Sequence, residues 1–174
     1  MRKSWLLASS AIAMAVVGLG ASIASLVDDL GGSPTFCAET GCELVRTSAW
    51  ARPLGIPMSL LGVAFFGAAI VLGFVQAPRL RRWLAIAGGG WAAWLIALQA
   101  FVIGAWCKLC LVADPAAIAH AALVVAGAST VSFAWRRIAV LVPAAAAIVI
   151  GLGLWTRAPV PFDPSLPPGT PEGI

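Results

Sequence analysis

Charged residues are scarce in this 174-residue chain. Only 10% of its residues are Asp, Glu, Lys or Arg, whereas 61% are hydrophobic, and the mean hydropathy is +0.98. A soluble domain carries about 25% charged residues, so this composition is typical of an integral membrane protein. The net charge of +4 comes from short basic clusters between apolar runs. This scatter leaves no basic face for phosphates and argues against a nucleic-acid partner.

Several residue types and motifs with catalytic uses are also rare or missing. The chain has no tyrosine and one histidine, His120. A lone histidine in an apolar run cannot build a triad or a metal site, so we predict a packing or hydrogen-bonding role. No P-loop pattern surrounds Gly88-Gly89-Gly90, and we predict that these glycines allow close helix approach. No haem or iron–sulfur motif is present.

Five apolar runs predict an all-α membrane protein. The first has 23 residues and would rise about 34 Å as a helix, enough to cross a bilayer. It could instead be a cleaved signal peptide, but it exceeds the usual signal core of about 7 to 15 residues. The predicted spans are 5–27, 57–76, 83–106, 111–133 and 138–156.

The first four spans are expected to form a four-helix core within residues 1–137, with a fifth helix beside it. The basic segment 78–82 is predicted to be a short turn between two spans. Residues 28–56 form a long polar loop, and the proline-rich segment 157–174 is predicted to have no fixed structure.

The distribution of cations predicts the orientation in the membrane. If the N-terminus is cytoplasmic, the inner segments carry most of the 11 cations and no acidic residue. The positive-inside rule then favours a cytoplasmic N-terminus, with both cysteine pairs and the C-terminus on the outer side. Tryptophans lie near the predicted interfaces, as an aromatic belt requires: Trp5, Trp83, Trp106, Trp135 and Trp155.

All four cysteines lie in predicted outer segments, in two pairs. Cys37 and Cys42 belong to the polar loop, where Gly41 can take a positive φ and help bring the two thiols together. Cys107 and Cys110 form a CxxC motif. A helix that starts at this motif would favour thiolate over thiol through its N-terminal dipole.

The fourth span contains an Asp-Pro pair near its start. Asp114 could cap a helix whose first residue is Pro115. In that case the CxxC motif would lie in the turn before the helix. Asp114 could alternatively exchange a hydrogen bond or a proton with a bound ring.

Two interpretations of the cysteine pairs are open at this point. A mobile loop pair and a pair fixed at a helix start suit a relay by thiol–disulfide exchange, in a compartment that permits disulfides. Such a relay needs an outlet for electrons, and a membrane quinone is apolar and accepts two electrons and two protons. The alternative is a non-catalytic membrane scaffold with two structural disulfides. A Cys₄ zinc site is a weaker alternative.

The order and spacing of these motifs resemble the vitamin K epoxide reductase family over about residues 5–133. The motifs are, in order, Cys37 and Cys42, Val45 and Ser48, Gly55-Ile56-Pro57-Met58-Ser59-Leu60-Leu61-Gly62, and Cys107-Lys108-Leu109-Cys110. The DsbB-type oxidases also have four spans and two cysteine pairs, but their CxxC precedes the second pair. Here the CxxC follows, which favours the first family.

The resemblance implies a quinone-dependent thiol–disulfide oxidoreductase of the bacterial cytoplasmic membrane. Such an enzyme reoxidises a thioredoxin-fold partner, passes electrons to ubiquinone or menaquinone, and supports disulfide formation in exported proteins. The chain looks like a bacterial member without a fused thioredoxin-like domain, so a separate periplasmic or extracellular DsbA-like partner is expected. No metal is implied.

The resemblance also implies a role for each cysteine. By position, Cys37 would meet the partner, and Cys42 would exchange with Cys107. Cys110 would face the quinone and reduce it.

Two expected quinone contacts depart from the animal members of the family. Those members have an asparagine before the second-span serine and a tyrosine four residues beyond the last cysteine. Here these positions are Met58 and Asp114, so the implied quinone contacts are Met58, Ser59 and Asp114. Trp91 and Trp94 could line a quinone cavity or face lipid. Ser48 and Ser59 are expected to pack or to bond backbone carbonyls rather than act as nucleophiles.

Overall fold

The computed structural model describes residues 2–31 and 34–127, with side chains from residue 6 onward. These residues contain helices and no strand. The helices are α1 (Arg2–Leu30), α2 (Thr40–Thr47), α3 (Met58–Phe74), α4 (Pro78–Leu98) and α5 (Lys108–Val125). The predicted fifth span 138–156 and the segment 157–174 lie outside the described residues, as do Trp135 and Trp155.

Three of the described helical segments are long and apolar enough to cross a membrane. They are Leu6–Leu30, Pro78–Ile103 and Lys108–Val125. Helix α3 is also apolar but has 17 residues, which rise about 25 Å. The predicted all-α fold is confirmed for the described residues.

Helix α5 joins the other long helices into one bundle. It packs against α1 and α4, and α1 also packs against α3. Small side chains line these contacts: Ala15, Ala92 and Ala117 are buried together with Phe66. In lipid, helices associate chiefly through close van der Waals packing, which small residues permit.

The prediction for the triple glycine of α4 is confirmed at two of its three positions. A Cβ on Gly88 would lie 2.1 Å from the ring of Phe65 in α3, and one on Gly89 would lie 2.6 Å from the Cβ of Ala121 in α5. Gly90 faces open space. Two glycines therefore let α4 approach its neighbours.

The two ends of the bundle differ, and we name them by their residues. The cysteine end holds Cys37, Cys42, Cys107 and Cys110. The opposite end, here the arginine end, holds Arg81, the N-terminal half of α1 and the C-terminal half of α5. His120 ties these two helices together there, because its Nδ1 donates to the carbonyl oxygen of Ala11 over 2.8 Å. The predicted hydrogen-bonding role of His120 is confirmed.

The basic segment 78–82 was predicted to be a turn between two spans, and this prediction is wrong. The segment forms the first turn of α4. Pro78 is the first residue of this helix, a position that suits proline because its missing N–H needs no partner there. Arg81 is consequently helical, and it is buried at 8% exposure. Trp83 follows one half-turn later and is 71% exposed.

The connection from α1 to α3 crosses the cysteine end. It contains α2 and a 3₁₀ turn, Pro53–Gly55. The prediction that Gly41 takes a positive φ is wrong, because Gly41 lies inside α2 with helical geometry. Glycine is needed at position 41 for lack of space, because a Cβ there would lie 2.5 Å from the carbonyl oxygen of Trp106. Glycine therefore lets α2 approach the segment that leads into the CxxC motif.

Helix α5 begins before the predicted Asp-Pro start. Its N-cap is Cys107, whose sulfur accepts the backbone N–H of Cys110 over 3.4 Å, and Pro115 lies inside the helix. The prediction that Asp114 caps a helix starting at Pro115 is wrong. Cys107 already supplies the cap, so Asp114 lies one turn beyond Cys110, where its buried carboxyl bonds to a side chain of the neighbouring segment.

Candidate active site

Three sulfur atoms meet at the cysteine end of the bundle. Cys37 and Cys42 are joined in a disulfide, with their Cα atoms 6.0 Å apart, while Cys107 and Cys110 are free thiols. The Sγ atoms of Cys37, Cys42 and Cys107 all lie within 4.8 Å of one another. A free thiol beside a disulfide is the arrangement that thiol–disulfide exchange requires.

This sulfur cluster is no indication of a metal site. Two of its three sulfurs are bonded to each other, and a metal ligand must be a thiolate. All three cysteines are buried, at 6% to 8% exposure. Any macromolecule can therefore reach Cys37 only after the loop that carries it has moved.

Asp28, near the end of α1, holds that loop in place. Its carboxylate accepts the backbone N–H groups of Thr35, Phe36 and Cys37, over 2.6, 2.9 and 2.8 Å. Arg46 in α2 donates to the backbone carbonyl of Asp28 over 3.1 Å. A carboxylate that accepts several N–H groups fixes a loop firmly, because charged hydrogen bonds are stronger than neutral ones. Asp28 thus positions Cys37 beside Cys42 and Cys107.

Cys107 has the electrostatic surroundings of a reactive thiol. The pKa of Cys107 is lowered from its ordinary value to about 7, mainly because the Cys110 thiol donates a hydrogen bond to its sulfur. The backbone N–H groups of Cys110 and Leu109 act in the same direction. Burial and the negative charge of Asp29 oppose them. The predicted preference for thiolate at this helix start is borne out for Cys107.

A cavity of about 480 Å³ extends from the sulfur cluster into the bundle. All four cysteines line it, and aromatic and aliphatic side chains form most of its wall. The apolar part includes Leu61, Phe65, Phe66, Trp91 and Leu95. Its volume lies in the range of small-molecule sites, about 300 to 1,000 Å³.

Polar groups are concentrated near the cysteines. Ser59, at the start of α3, donates its hydroxyl to the carboxylate of Asp29 in α1. Gln99 donates its amide N–H to the Asp114 carboxyl over 3.3 Å. All four of these side chains line the cavity. An apolar cavity with a few polar groups at one end is typical of a small-molecule site.

The structure brings together the four cysteines and the three expected quinone contacts. Met58, Ser59 and Asp114 all line the cavity, with the four cysteines. Ser48 donates to the carbonyl oxygen of Val45 over 2.7 Å, as expected for a serine with a backbone partner. Ser59 differs, because its acceptor is a carboxylate.

Of the two tryptophans proposed for the cavity wall, one lines the cavity and the other does not. Trp91 lines the cavity, although 45% of its surface is exposed. Trp94 does not line it, and its ring lies edge-to-face with that of Trp50 at 6.3 Å between centroids.

Sequence reasoning missed Asp28 and Gln99. Gln99 is the single polar residue between Trp83 and Trp106, and a lone amide in an apolar run is itself a signal of function. Asp28 follows the first apolar run next to another acid. No sequence pattern shows that its carboxylate accepts the N–H groups of residues 35–37.

An ion pair crosses the mouth of the site. Lys108, the first residue of α5, pairs with Glu39, which precedes α2. This contact joins the segment between Cys37 and Cys42 to the start of the CxxC helix. It adds a second link, after the sulfur cluster, between the two cysteine pairs.

Comparison with known proteins agrees with this arrangement. The profile of the Vitamin K epoxide reductase family matches residues 10–126, a range that includes all four cysteines. No curated protein sequence matches the chain. The matched range is more than half of the chain, and it confirms the resemblance drawn from the motifs. The chain therefore belongs to the vitamin K epoxide reductase family, and this membership supports a membrane oxidoreductase that acts on thiols and disulfides.

Proposed function

We propose that this protein is a quinone-dependent thiol–disulfide oxidoreductase that reoxidises a thioredoxin-fold partner. The observation that carries the proposal is the shared cavity: the disulfide, the two free thiols and an apolar chamber form one continuous site. Family membership supports a quinone acceptor. The quinone would supply a two-electron, two-proton acceptor at the end of the relay.

The first step takes place at the loop disulfide. A thiolate of the partner attacks Cys37 Sγ, the Cys37–Cys42 bond breaks, and the electron pair leaves on Cys42. The second thiol of the partner then attacks the mixed disulfide. The partner leaves oxidised and Cys37 is released as a thiolate. Because Cys37 is buried, this step needs the segment held by Asp28 to open.

The second step passes electrons between the two pairs. Cys42 attacks Cys107 Sγ in an oxidised Cys107–Cys110 pair, and Cys110 leaves as the thiolate. Cys37 then attacks Cys42, which re-forms the loop disulfide and releases Cys107. The lowered pKa of Cys107 makes it a good leaving group. The products are the loop disulfide and the reduced CxxC pair, the same pairing as in the structure.

The third step returns the CxxC pair to its disulfide. Cys107 and Cys110 lose two electrons and two protons in total as the S–S bond forms. Cys110 lies in the first turn of α5, one turn before Asp114, and both side chains line the cavity. Met58, Ser59 and Asp114 would contact the quinone. The aromatic wall would hold the ring and exclude water.

We place the protein in the bacterial cytoplasmic membrane with its N-terminus inside and its cysteine end outside. The cation bias of the sequence supports this orientation. In this arrangement α1, α3, α4 and α5 form the four-helix core. The DsbA-like partner would approach α2 and the loop from the outer compartment.

The decisive experiment uses purified protein, a quinone and a reduced thioredoxin-fold partner. Wild-type protein is expected to reduce quinone as the partner is oxidised, and Cys110→Ala should lose quinone reduction. The matched control is Ser9→Ala, which removes a group of similar size at the arginine end, where Ser9 donates to the carbonyl of Leu6. It should keep wild-type turnover.

The same experiment separates this function from a scaffold with two structural disulfides. Thiol trapping should show Cys107 and Cys110 changing between oxidised and reduced forms with quinone supply. Bridges that stay locked under all conditions, or undiminished turnover in Cys110→Ala, would contradict the proposal.

A further inference from the structure

Gln99 occupies an unusual place in the bundle. It is 3% exposed, and it begins a π-helical turn, Gln99–Ile103, that extends α4. Burying an amide in an apolar bundle costs free energy unless its donor and its acceptor are both satisfied. The hydrogen-bond partners of Gln99 therefore indicate its role.

Both ends of the Gln99 amide bind to α5. Its Oε1 accepts the backbone N–H of Cys107 over 3.1 Å, and its Nε2 donates to Asp114 Oδ2 over 3.3 Å. Cys107 and Asp114 are separated by about two helical turns. One side chain thus connects the first residue of the CxxC motif with the polar wall of the cavity.

The backbone that carries this side chain is also held. The carbonyl oxygen of Gln99 accepts the N–H of Gly104 over 3.0 Å, which closes the π turn. Gly104 then takes the left-handed conformation, with φ of 67°, and the chain turns toward Cys107. π-Helical turns are rare and occur often at functional sites.

We propose that Gln99 is a positioning residue for the dithiol-to-quinone step, which holds Cys107 at the N-cap of α5 and orients the Asp114 carboxyl at the cavity wall. The inference has two halves, the role of Gln99 at Cys107 and its role at Asp114. The Asp114 half rests on the proposed function. The Cys107 half does not depend on a quinone.

The physical basis is the geometry of the helix start. With its N–H bonded to Gln99, Cys107 keeps the extended conformation of an N-cap, in which its sulfur accepts from Cys110. Without that acceptor the buried N–H of Cys107 has lost its partner, and the residue can rotate out of the cap. The thiolate would then lose hydrogen bonds, and the reduced pair would be less stable relative to its disulfide.

Only an amide of this length makes both contacts. Methionine has nearly the same length and volume as glutamine but cannot donate to Asp114, and its sulfur is only a weak acceptor for the N–H of Cys107. Asparagine keeps the amide but is one methylene shorter, so it cannot reach both partners. These two substitutions separate hydrogen bonding from volume.

The first test compares Gln99→Met with Gln76→Met. Gln76 is the other glutamine of the chain, exposed between α3 and α4, and is a matched control. Cys107 alkylation is followed against pH by mass spectrometry in full-length protein in detergent, with no quinone. In Gln99→Met we expect the midpoint to rise by about one pH unit, toward the ordinary cysteine pKa of about 8.5. Gln76→Met should keep the wild-type midpoint.

The second readout is the redox equilibrium of the CxxC pair with glutathione. Gln99→Met should shift this equilibrium about tenfold toward the disulfide, since weaker thiolate stabilisation makes the pair more easily oxidised. Loss of the fold would also raise the alkylation midpoint, so both readouts are taken at a temperature below the thermal unfolding transition of Gln99→Met in detergent. A wild-type midpoint and a wild-type equilibrium in Gln99→Met would overturn the inference. If Gln99→Met does not fold, Gln99→Asn is judged by the same two criteria.

The Asp114 half is tested by a double-mutant cycle on quinone turnover. If Gln99 acts partly through Asp114, the variant carrying both Gln99→Met and Asp114→Leu should lose less kcat than the product of the two single losses, the remaining loss coming from the contact with Cys107. Effects that multiply would overturn this half. Failure of the proposed function would be recognised separately, because wild-type protein would then show no quinone turnover while the alkylation and glutathione readouts still decide the role of Gln99 at Cys107.

Discussion

The cysteine end and the arginine end of this bundle are built from different chemistry. The cysteine end surrounds a cavity of about 480 Å³ with thiols, carboxylates and an amide. The arginine end closes around a void of about 10 Å³, too small to hold a ligand, with Ala8, Ala11 and Ile12 among its lining residues. The helices therefore pack tightly at the arginine end and leave a cavity at the cysteine end. Alanine and isoleucine side chains fill the arginine end, whereas thiols and polar groups line an open cavity at the cysteine end.

The largest expected effect concerns the sulfur cluster. In the double variant Cys37→Ala with Cys110→Ala, only Cys42 and Cys107 remain, and their sulfurs lie within 4.8 Å in the native protein. We expect them to form a disulfide spontaneously and nearly completely, as seen by gel shift after thiol trapping. Two alkylated cysteines after mild oxidation would show that the two pairs do not exchange through these atoms.

The next effect concerns the carboxylate that holds the loop. Asp28→Ala removes the acceptor of three backbone N–H groups, and hydrogen bonds to a charged group are worth about 1.5 to 3 kcal/mol each. We expect the loop to open more often, so that a small reductant reduces Cys37–Cys42 at least about tenfold faster, since tenfold corresponds to about 1.4 kcal/mol.

The matched variant for this comparison is Asp28→Asn, which keeps one acceptor oxygen at the same place. Its reduction rate should fall between those of wild type and Asp28→Ala. Equal rates in all three proteins would mean that Asp28 does not restrain the loop.

A smaller effect distinguishes tight packing from open space within α4. Gly89→Ala places a Cβ 2.6 Å from the Cβ of Ala121, whereas Gly90→Ala meets nothing within 4 Å. We expect Gly89→Ala to lower the free energy of unfolding by about 1 to 3 kcal/mol through overpacking. Gly90→Ala should leave it unchanged or raise it by up to about 1 kcal/mol, because alanine favours helix. Thermal unfolding in detergent measures both, and equal destabilisation would contradict the close approach of α4 to α5.

The smallest effect is a shift along the pH axis. The pKa of Cys107 is lowered to about 7, so its thiolate fraction rises through one half near pH 7 and falls as the pH drops below it. Alkylation of wild-type Cys107 should follow this curve, whereas Cys107 in unfolded protein should follow a midpoint near about 8.5. The same midpoint in both states would show that the cysteine end does not stabilise this thiolate.

Several features were predictable because they depend on local pattern. Long apolar runs indicate membrane helices, and the order of the two cysteine pairs with the Gly55–Gly62 segment indicates the family. Two expectations about local geometry failed where a neighbouring segment decided the outcome. Gly41 is needed for the approach of Trp106 and not for a turn. Asp114 caps nothing, because Cys107 already caps α5.

The sequence by itself determined that this chain is helical, belongs in a membrane and carries two cysteine pairs in a family-specific order. Only the tertiary structure decided that Cys107 lies beside the Cys37–Cys42 disulfide, that Asp28 holds the loop, and that Gln99 binds Cys107 and Asp114 together. The physical reason is the distance along the chain over which each property is determined. Apolar periodicity and motif spacing are local properties of a chain, whereas these contacts join residues that are brought together only when the helices pack.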